Sequence, residues 1–205
     1  MISGKYFQML MKSVLKSDCQ LTVLKKTMMN HISNFKLSNS SYFEINKPLR
    51  FDHHATISKV MTERKGLCIE LNYTYSRFLL QNGFGNMYFV NCQKLDLLGK
   101  RYYSLFHNGL VVGINNNKYY VDVGLGDYFI EPKLMDKNNY VNNNFFVRDN
   151  NKEILKVIDK PITMDEINDN YVMFFDYKEK DFPFCNRLYE RIFDTRIMKY
   201  SFPKE

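Results

Sequence analysis

Apolar residues recur at steps of three and four positions along the first third of the chain, which is the period of an amphipathic helix. Leu21, Leu24, Met28 and Ile32 show this period within the segment 20–35. The segments 5–17 and 53–64 repeat it, whereas the polar stretch 38–52 is predicted to be a connecting loop. The pattern therefore predicts three helices ahead of the basic, glycine-containing stretch 64–66.

A fourth helix is predicted to begin at Cys68. Its apolar stripe has helical spacing and consists of Leu71, Tyr75, Phe78 and Leu79. Gly83 follows at the place where a helix C-terminus favours glycine. Cys68 is therefore expected to lie in the first turn of this helix.

Beyond Gly83 the pattern changes to short runs of β-branched and aromatic residues separated by Asn-rich turns, which is typical of strands. The runs lie at 87–92, 102–114, 118–126, 144–149 and 153–158. We expect an α+β protein in which a helical bundle, residues 1–85, packs on an antiparallel β-barrel or sheet, residues 86–205. The segment 181–196 is expected to return over the sheet as a loop and a short helix.

Composition and charge exclude several classes of protein. A chain of 205 residues with 45% hydrophobic and 25% charged residues can bury a core, and its net charge of +7 is spread without a polybasic tract. Nucleic acid is therefore not the expected partner. No segment approaches the roughly 20 apolar residues of a membrane span, and the N-terminus lacks a secretory signal. The four cysteines have no CxxC spacing, so we expect a soluble, cytoplasmic protein with free thiols and no metal site.

Cys68, His107 and Asp122 have the chemistry of a proton relay. A thiol at a helix N-terminus is favoured as the thiolate by the helix dipole, and a neighbouring imidazole can accept its proton. An aspartate on the other side of that imidazole fixes the tautomer and stabilises the imidazolium. Each residue also has an ordinary structural explanation, as a small buried thiol, a strand histidine and a strand-end aspartate.

The stretches carrying His107 and Asp122 are predicted to form a hairpin. If Asn115 and Asn116 make a two-residue turn, position 109 lies opposite 122, and His107 points to the same face as Asp122. A three-residue turn without a bulge would put the two side chains on opposite faces.

These motifs resemble those of the arylamine N-acetyltransferase family. The family's nucleophile motif runs Arg-Gly-Gly-aromatic-Cys, then an apolar residue, Glu or Gln, any residue and Asn. The stretch RKGLCIELN keeps five of these residues: Arg64, Gly66, Cys68, Glu70 and Asn72. LFHNGLVV and YYVDVGLG are similar to the family's histidine strand and its Val-Asp-Val-Gly-Phe-Gly motif.

The resemblance implies a helical bundle, a β-barrel and a third, lid domain, with a Cys-His-Asp core like that of cysteine proteases. It also implies ping-pong chemistry, in which Cys68 takes an acetyl group from acetyl-CoA and passes it to an arylamine, a hydrazine or a related amine. His107 would act as base and then acid, and Asp122 would orient it. Acetyl-CoA would be a co-substrate, and no cofactor would be bound permanently.

By the same resemblance, Phe106, Leu125 and Gly126 are candidate substrate-binding residues, and Tyr103 and Ser104 are candidates for binding coenzyme A. The chain differs from the family pattern at three of its positions: Lys65, Leu67 and Leu125. It also ends about where the lid domain would begin, so we expect that domain to be absent and the cleft to be more open.

Two other functions are compatible with the residues. A Cys-His-Asp relay also serves thiol hydrolases and transamidases that act on peptide bonds, and an open cleft would suit such large substrates. The chain could instead be a binding module that kept the fold without catalysis, with Cys68 reacting as an ordinary thiol. The sequence does not determine the acceptor, the acyl chain or the oligomeric state.

Overall fold

The computed structural model describes residues 4–38, 51–95, 107–126, 129–142, 144–148 and 154–167. The longer helices within these ranges are α1 (Gly4–Met11), α2 (Gln20–Asn34), α3 (His53–Glu63) and α4 (Cys68–Gln81), and shorter helical turns lie at 137–139 and 164–167. All four predicted helices are therefore confirmed. The predicted loop and helix at 181–196 lie outside the described residues.

The first helix is shorter than its apolar pattern predicted. It ends at Met11, and the next residues form turns in which the Asp18 carboxylate accepts a hydrogen bond from the backbone N–H of Leu15, at 2.7 Å. Leu15 is 62% exposed, so its apolar side chain has no core to enter. A longer helix would bury little apolar surface here. The hydrogen bond between Leu15 and Asp18 therefore determines the local conformation, although the apolar period continues.

The connection from α3 to α4 fixes where α4 begins. Arg64 ends α3 with a left-handed backbone, φ 53°, and β2 (Lys65–Gly66) then pairs in parallel with β1 (Lys36–Leu37). The positive φ of this turn falls on Arg64 and not on Lys65, which is extended strand. A lysine therefore fits at position 65, where the family pattern has the glycine that precedes Gly66.

Seven strands form one antiparallel sheet in the order β6-β5-β4-β3-β9-β8-β7. Their bounds are β3 (Met87–Leu95), β4 (His107–Ile114), β5 (Asn117–Val121), β6 (Lys133–Leu134), β7 (Tyr140–Val141), β8 (Asn144–Arg148) and β9 (Ile154–Ile158). The five predicted strands are present in the described ranges, and the short strands β1, β2, β6 and β7 were not predicted, because two residues are too few to show a period.

The β4–β5 hairpin has the predicted two-residue turn. Asn115 and Asn116 both have positive φ, 49° and 64°, as the favoured hairpin turn requires. Leu110 pairs with Val121, which sets position 109 opposite 122. His107 and Asp122 therefore share a face, as the tighter turn predicts.

Helix α4 packs against β4 and is the most deeply buried helix of the described chain. All four residues of its apolar stripe are fully buried in a core that also contains residues of α2 and of the sheet. The helix also buries polar residues that the apolar pattern did not identify, namely Glu70, Asn72, Thr74 and Ser76. Glu70, Asn72 and Ser76 have hydrogen-bond partners, and those of Glu70 and Asn72 include groups on α3 and β4. These two side chains therefore link α4 to its neighbours.

Asp159, just after β9, ties together strands that are not neighbours. Its carboxylate accepts hydrogen bonds from the hydroxyls of Tyr88 on β3, at 2.6 Å, and Tyr140 on β7, at 2.8 Å. Lys118 on β5 donates a third, at 2.9 Å. One side chain thereby links the two halves of the curled sheet.

None of the helices in the described ranges is long and apolar enough to cross a membrane.

Candidate active site

Cys68 is the first residue of α4, and its position is fixed by the residues on either side. The Glu70 side chain turns back and accepts a hydrogen bond from the backbone N–H of Leu67, at 2.8 Å. Lys59 of α3 donates to the same carboxylate oxygen, also at 2.8 Å, and Glu70 is only 1% exposed. This capping arrangement holds the first turn of α4 in place. Cys68, which is 7% exposed, lies at the N-terminal end of the helix.

The structure brings His107 and Asp122 into direct contact. The imidazole Nε2 lies 2.5 Å from the Asp122 Oδ2. A carboxylate only accepts, so Nε2 carries the hydrogen and Nδ1 remains for another partner. Cys68 lies close enough to this imidazole for its charge and its hydrogen bonding to contribute to raising the pKa of His107. Cys68 at the start of α4, His107 on β4 and Asp122 just after β5 therefore lie near one another.

The charges of neighbouring groups determine the protonation of His107 and Asp122. Burial lowers the pKa of His107, but the charges of Asp122 and Cys68 and the hydrogen bonds to both outweigh it, so the pKa lies well above its ordinary value. Burial also opposes ionisation of Asp122, yet its pKa is lowered, because His107, Tyr120 and Asn72 all favour the carboxylate. The buried aspartate is therefore an anion that stabilises an imidazolium.

Asn72, one helical turn after Cys68, joins α4 to the strands that carry the other two residues. Its amide nitrogen donates to the Asn108 carbonyl at 2.7 Å and to the Asp122 Oδ1 at 3.0 Å. Its amide oxygen accepts from the backbone N–H groups of Val123, at 2.9 Å, and Gly124, at 3.3 Å. A single buried side chain thus fixes the helix, the strand end and the carboxylate relative to one another.

Sequence reasoning missed two residues behind Asp122. The Tyr120 hydroxyl donates to the Asp122 Oδ2 at 2.5 Å, and the Cys92 Sγ lies 3.4 Å from that hydroxyl. A signal was present, because Tyr120 is two residues before Asp122 on one strand and must share its face. Aromatic residues on such strands are usually interpreted as core residues, so the hydrogen bond from Tyr120 to Asp122 was not predicted.

The other predicted site residues have mixed outcomes. Leu125 is 8% exposed, and its backbone N–H donates to the Asp122 Oδ1 at 3.2 Å. Gly126 follows with a positive φ of 56°. Phe106, Tyr103 and Ser104 lie outside the described residues.

The cysteines in the described part of the chain, Cys19, Cys68 and Cys92, are free thiols, as predicted, and Cys185 lies outside it. A largely apolar groove of about 470 Å³ lies elsewhere, along α4 beyond Cys68, and its described lining does not include Cys68, His107 or Asp122. The residues that line it are His53, His54, Ile57, Tyr73, Ser76, Arg77, Leu80, Gln81, Met87, Tyr88, Phe89, Leu110 and Met164.

The chain matches a known protein family and two viral relatives in sequence. A sequence model of the family described as N-acetyltransferase matches residues 20–189. An uncharacterised acetyltransferase of Acanthamoeba polyphaga mimivirus is 36% identical over 196 residues, which is 88% of this chain and 92% of the viral protein. A second uncharacterised acetyltransferase of the same virus is 33% identical over 202 residues, 90% of this chain and 97% of its own length.

Solved structures of arylamine N-acetyltransferases share the fold. The enzyme from M. tuberculosis has a TM-score of 0.67 at 15% identity, over 80% of this chain and 69% of that enzyme. The enzyme from Bacillus cereus, which has a Cys-His-Glu catalytic triad, has a TM-score of 0.63 at 17% identity, over 87% of this chain and 78% of its own. These likenesses confirm the predicted α+β fold with a core like that of cysteine proteases.

Proposed function

Because the chain belongs to the arylamine N-acetyltransferase family, we propose that it transfers an acetyl group from acetyl-CoA to a small amine through a thioester on Cys68. The observation that carries this proposal is the convergence of a thiol at a helix start with an imidazole held by a buried carboxylate. That arrangement supplies a nucleophile, its base and the group that orients the base.

The first half-reaction acetylates the enzyme. Cys68 gives its proton to Nδ1 of His107, and the thiolate attacks the carbonyl carbon of the acetyl thioester. The tetrahedral intermediate then collapses, the bond from carbon to the coenzyme sulfur breaks, and the departing thiolate takes the proton back from His107. Asp122 holds Nε2–H throughout and stabilises the imidazolium that exists between the two proton transfers.

The second half-reaction reverses the roles. The acceptor amine attacks the Cys68 thioester while His107 takes a proton from the amine nitrogen, and the Cys68 thiolate leaves as the amide forms.

The backbone N–H of Cys68 lies in the first turn of α4, where backbone amides have no acceptor within the helix. We assign it to the oxyanion of both intermediates, a contribution of about 3 kcal/mol per donor.

The nature of the acceptor rests on the family alone. Arylamines and hydrazines are the proposed acceptors, with Phe106, Leu125 and Gly126 in contact with them and Tyr103 and Ser104 in contact with coenzyme A. Leu125 replaces an aromatic ring of the family pattern, so a smaller apolar wall would face the acceptor.

Intact mass measurement after incubation with acetyl-CoA tests the proposal. One acetyl group should appear on the wild-type protein and disappear when an arylamine is added. Cys68→Ala should remain unmodified. Cys19→Ser is the matched control, because Cys19 is an exposed thiol at the start of α2 and should be dispensable.

Two results would contradict acetyl transfer through Cys68. If no acyl-CoA leaves an adduct while a peptide-based electrophile labels Cys68, the site belongs to a hydrolase or transamidase. If Cys68 reacts with neither faster than a free thiol does, the fold serves binding without catalysis.

A further inference from the structure

The carboxylate of Asp122 serves two donors at the same oxygen. His107 Nε2 and the Tyr120 hydroxyl both lie 2.5 Å from Oδ2, and the other oxygen, Oδ1, accepts from Asn72 and from backbone N–H groups. Tyr120 is 1% exposed, so its hydroxyl is shielded from bulk solvent. His107 and Tyr120 therefore share the negative charge of one carboxylate oxygen of Asp122.

The packing around Tyr120 holds its hydroxyl in this position. Its ring covers Gly109 on the neighbouring strand, where an added Cβ would lie 2.5 Å from both the ring edge and the hydroxyl. Only glycine at 109 lets the ring lie flat enough to reach Asp122. The Tyr120 ring, which lies diagonally across the strand pair, therefore explains why residue 109 is a glycine.

Cys92 fixes the direction of the hydroxyl. It pairs with His107 across β3 and β4, and its Sγ lies 3.4 Å from the Tyr120 oxygen. Since the single hydroxyl hydrogen points at Asp122, the Cys92 thiol is the donor toward the tyrosine oxygen, and the more distant Val90 carbonyl, at 3.9 Å, is its other acceptor. Burial raises the pKa of Cys92 to about 12, and burial together with Asp122 and Cys92 holds the pKa of Tyr120 well above its usual value. Both groups therefore remain protonated donors at neutral pH.

We propose that Tyr120 is a positioning residue that sets the basicity of His107 through the shared Asp122 oxygen, with Cys92 orienting the tyrosine hydroxyl. By donating to Oδ2, Tyr120 withdraws part of the carboxylate charge that would otherwise stabilise the imidazolium. It also keeps the carboxylate in the plane that Nε2 needs. The inference rests on the proposed function, because it describes how the base of that reaction is tuned.

The test is a pH titration of the histidine ring signals by NMR, with His107 assigned by its disappearance in His107→Gln. Tyr120→Phe keeps the ring over Gly109 and removes only the donor. The midpoint of His107 should rise by about half a pH unit or more. The basic limb of the Cys68 acetylation rate should move in the same direction. Tyr119→Phe, the neighbouring tyrosine on the opposite face of β5, is the matched control and should leave both unchanged.

The possible results separate this inference from the proposed function. If acetyl-enzyme forms but Tyr120→Phe titrates like Tyr119→Phe, the role of Tyr120 is overturned and the acetyltransferase proposal stands. If wild-type protein forms no acetyl-enzyme, the proposed function fails whatever the titration shows. Should Tyr120→Phe not fold, Cys92→Ala takes its place: a smaller upward shift supports the inference, and an unchanged midpoint overturns it.

Discussion

Gly124 lies directly against the backbone of Cys68: a Cβ at Gly124 would be 2.6 Å from the Cys68 carbonyl oxygen and 2.7 Å from its Cα. The strand end that carries Asp122 and the helix end that carries Cys68 are therefore in backbone contact. Glycine in the Val-Asp-Val-Gly stretch is required by this approach of two chain segments, and its φ is not in the left-handed region.

Gly124→Ala should separate the thiol from its base. The added methyl meets backbone atoms, which cannot rotate away, so the start of α4 must shift by a fraction of an ångström or more. A misplacement of about 1 Å costs about a hundredfold in rate, and overpacking costs about 1–3 kcal/mol of unfolding free energy. The rate of Cys68 acetylation and a urea unfolding curve measure the two effects.

Gly85→Ala is the control for that substitution. Gly85 is exposed, and an added Cβ there has no atom within 4 Å. Its acetylation rate and unfolding curve should match those of the wild type. Equal behaviour of the two alanine variants would show that the close approach at Gly124 is not what holds the site together.

Asn72→Ala should weaken both the fold and the site. The substitution leaves the buried N–H groups of Val123 and Gly124 without the amide oxygen that accepts from them, and leaves Asp122 with one donor fewer. We expect a loss of about 1–3 kcal/mol in unfolding free energy for the unsatisfied groups. Acetylation should slow by more than stability alone explains, because Asn72 no longer links the helix that carries Cys68 to the strand end that carries Asp122.

Asn82→Ala provides the comparison on the same helix. Its amide nitrogen donates to the Phe78 carbonyl at 2.8 Å, near the C-terminus of α4 and far from Cys68. This variant should lose some stability and keep the acetylation rate of the folded protein. A slowing as large as that of Asn72→Ala would mean that the helix as a whole, and not the Asn72 contacts, determines the rate.

The sequence predicted the helices, the main strands and the convergence of His107 with Asp122, because each rests on a short period or a local turn. The two asparagines of the β4–β5 turn determine the register, and the register decides which side chains share a face. Such information is local, so it can be read without knowing how distant segments meet.

The residues that the sequence did not predict depend on contacts between distant segments. Lys59 and Glu70 meet only because α3 and α4 pack together, and Cys92 meets Tyr120 only because both strands flank β4. Periodicity places Tyr120 and Cys92 on predicted strands, but it cannot say that a hydroxyl or a thiol on a strand has a particular hydrogen-bond partner. Side-chain partners across elements are fixed by packing.

Asp159→Asn should loosen the two halves of the sheet. The carboxylate has hydrogen bonds from Tyr88, Tyr140 and Lys118, and its pKa is lowered, since these donors outweigh the burial that opposes its charge. An amide accepts more weakly and cannot pair with a lysine. We expect a loss of about 1–2 kcal/mol in the free energy of unfolding, measured in urea.

The same measurement on Glu131→Gln serves as the control. Glu131 pairs with Lys133 at 3.2 Å, but its side chain is 50% exposed, and exposed pairs contribute little. Its unfolding curve should lie within experimental scatter of the wild type. An effect of Asp159→Asn no larger than this would show that the link between the two halves of the sheet is dispensable.

His31 should make the fold sensitive to acid. It is fully buried on α2 among the aromatic rings of Tyr6, Phe35 and Tyr75, and neither ring nitrogen has a hydrogen-bond partner in the described part of the chain. Burial lowers its pKa from 6.5 to about 3. The unfolded chain therefore binds a proton that the folded chain does not between these two values, and stability falls as the pH decreases through that window.

The loss attributable to His31 approaches about 1.4 kcal/mol per pH unit once the pH is below the unfolded-state pKa. His31→Leu removes the titrating group and keeps an apolar side chain of helical propensity, so its unfolding free energy should decline less steeply between pH 6.5 and about 4. His54→Leu, at an exposed position on α3, should keep the wild-type slope. Urea unfolding across this pH range measures the difference, and parallel curves for all three proteins would show that His31 does not carry the acid sensitivity.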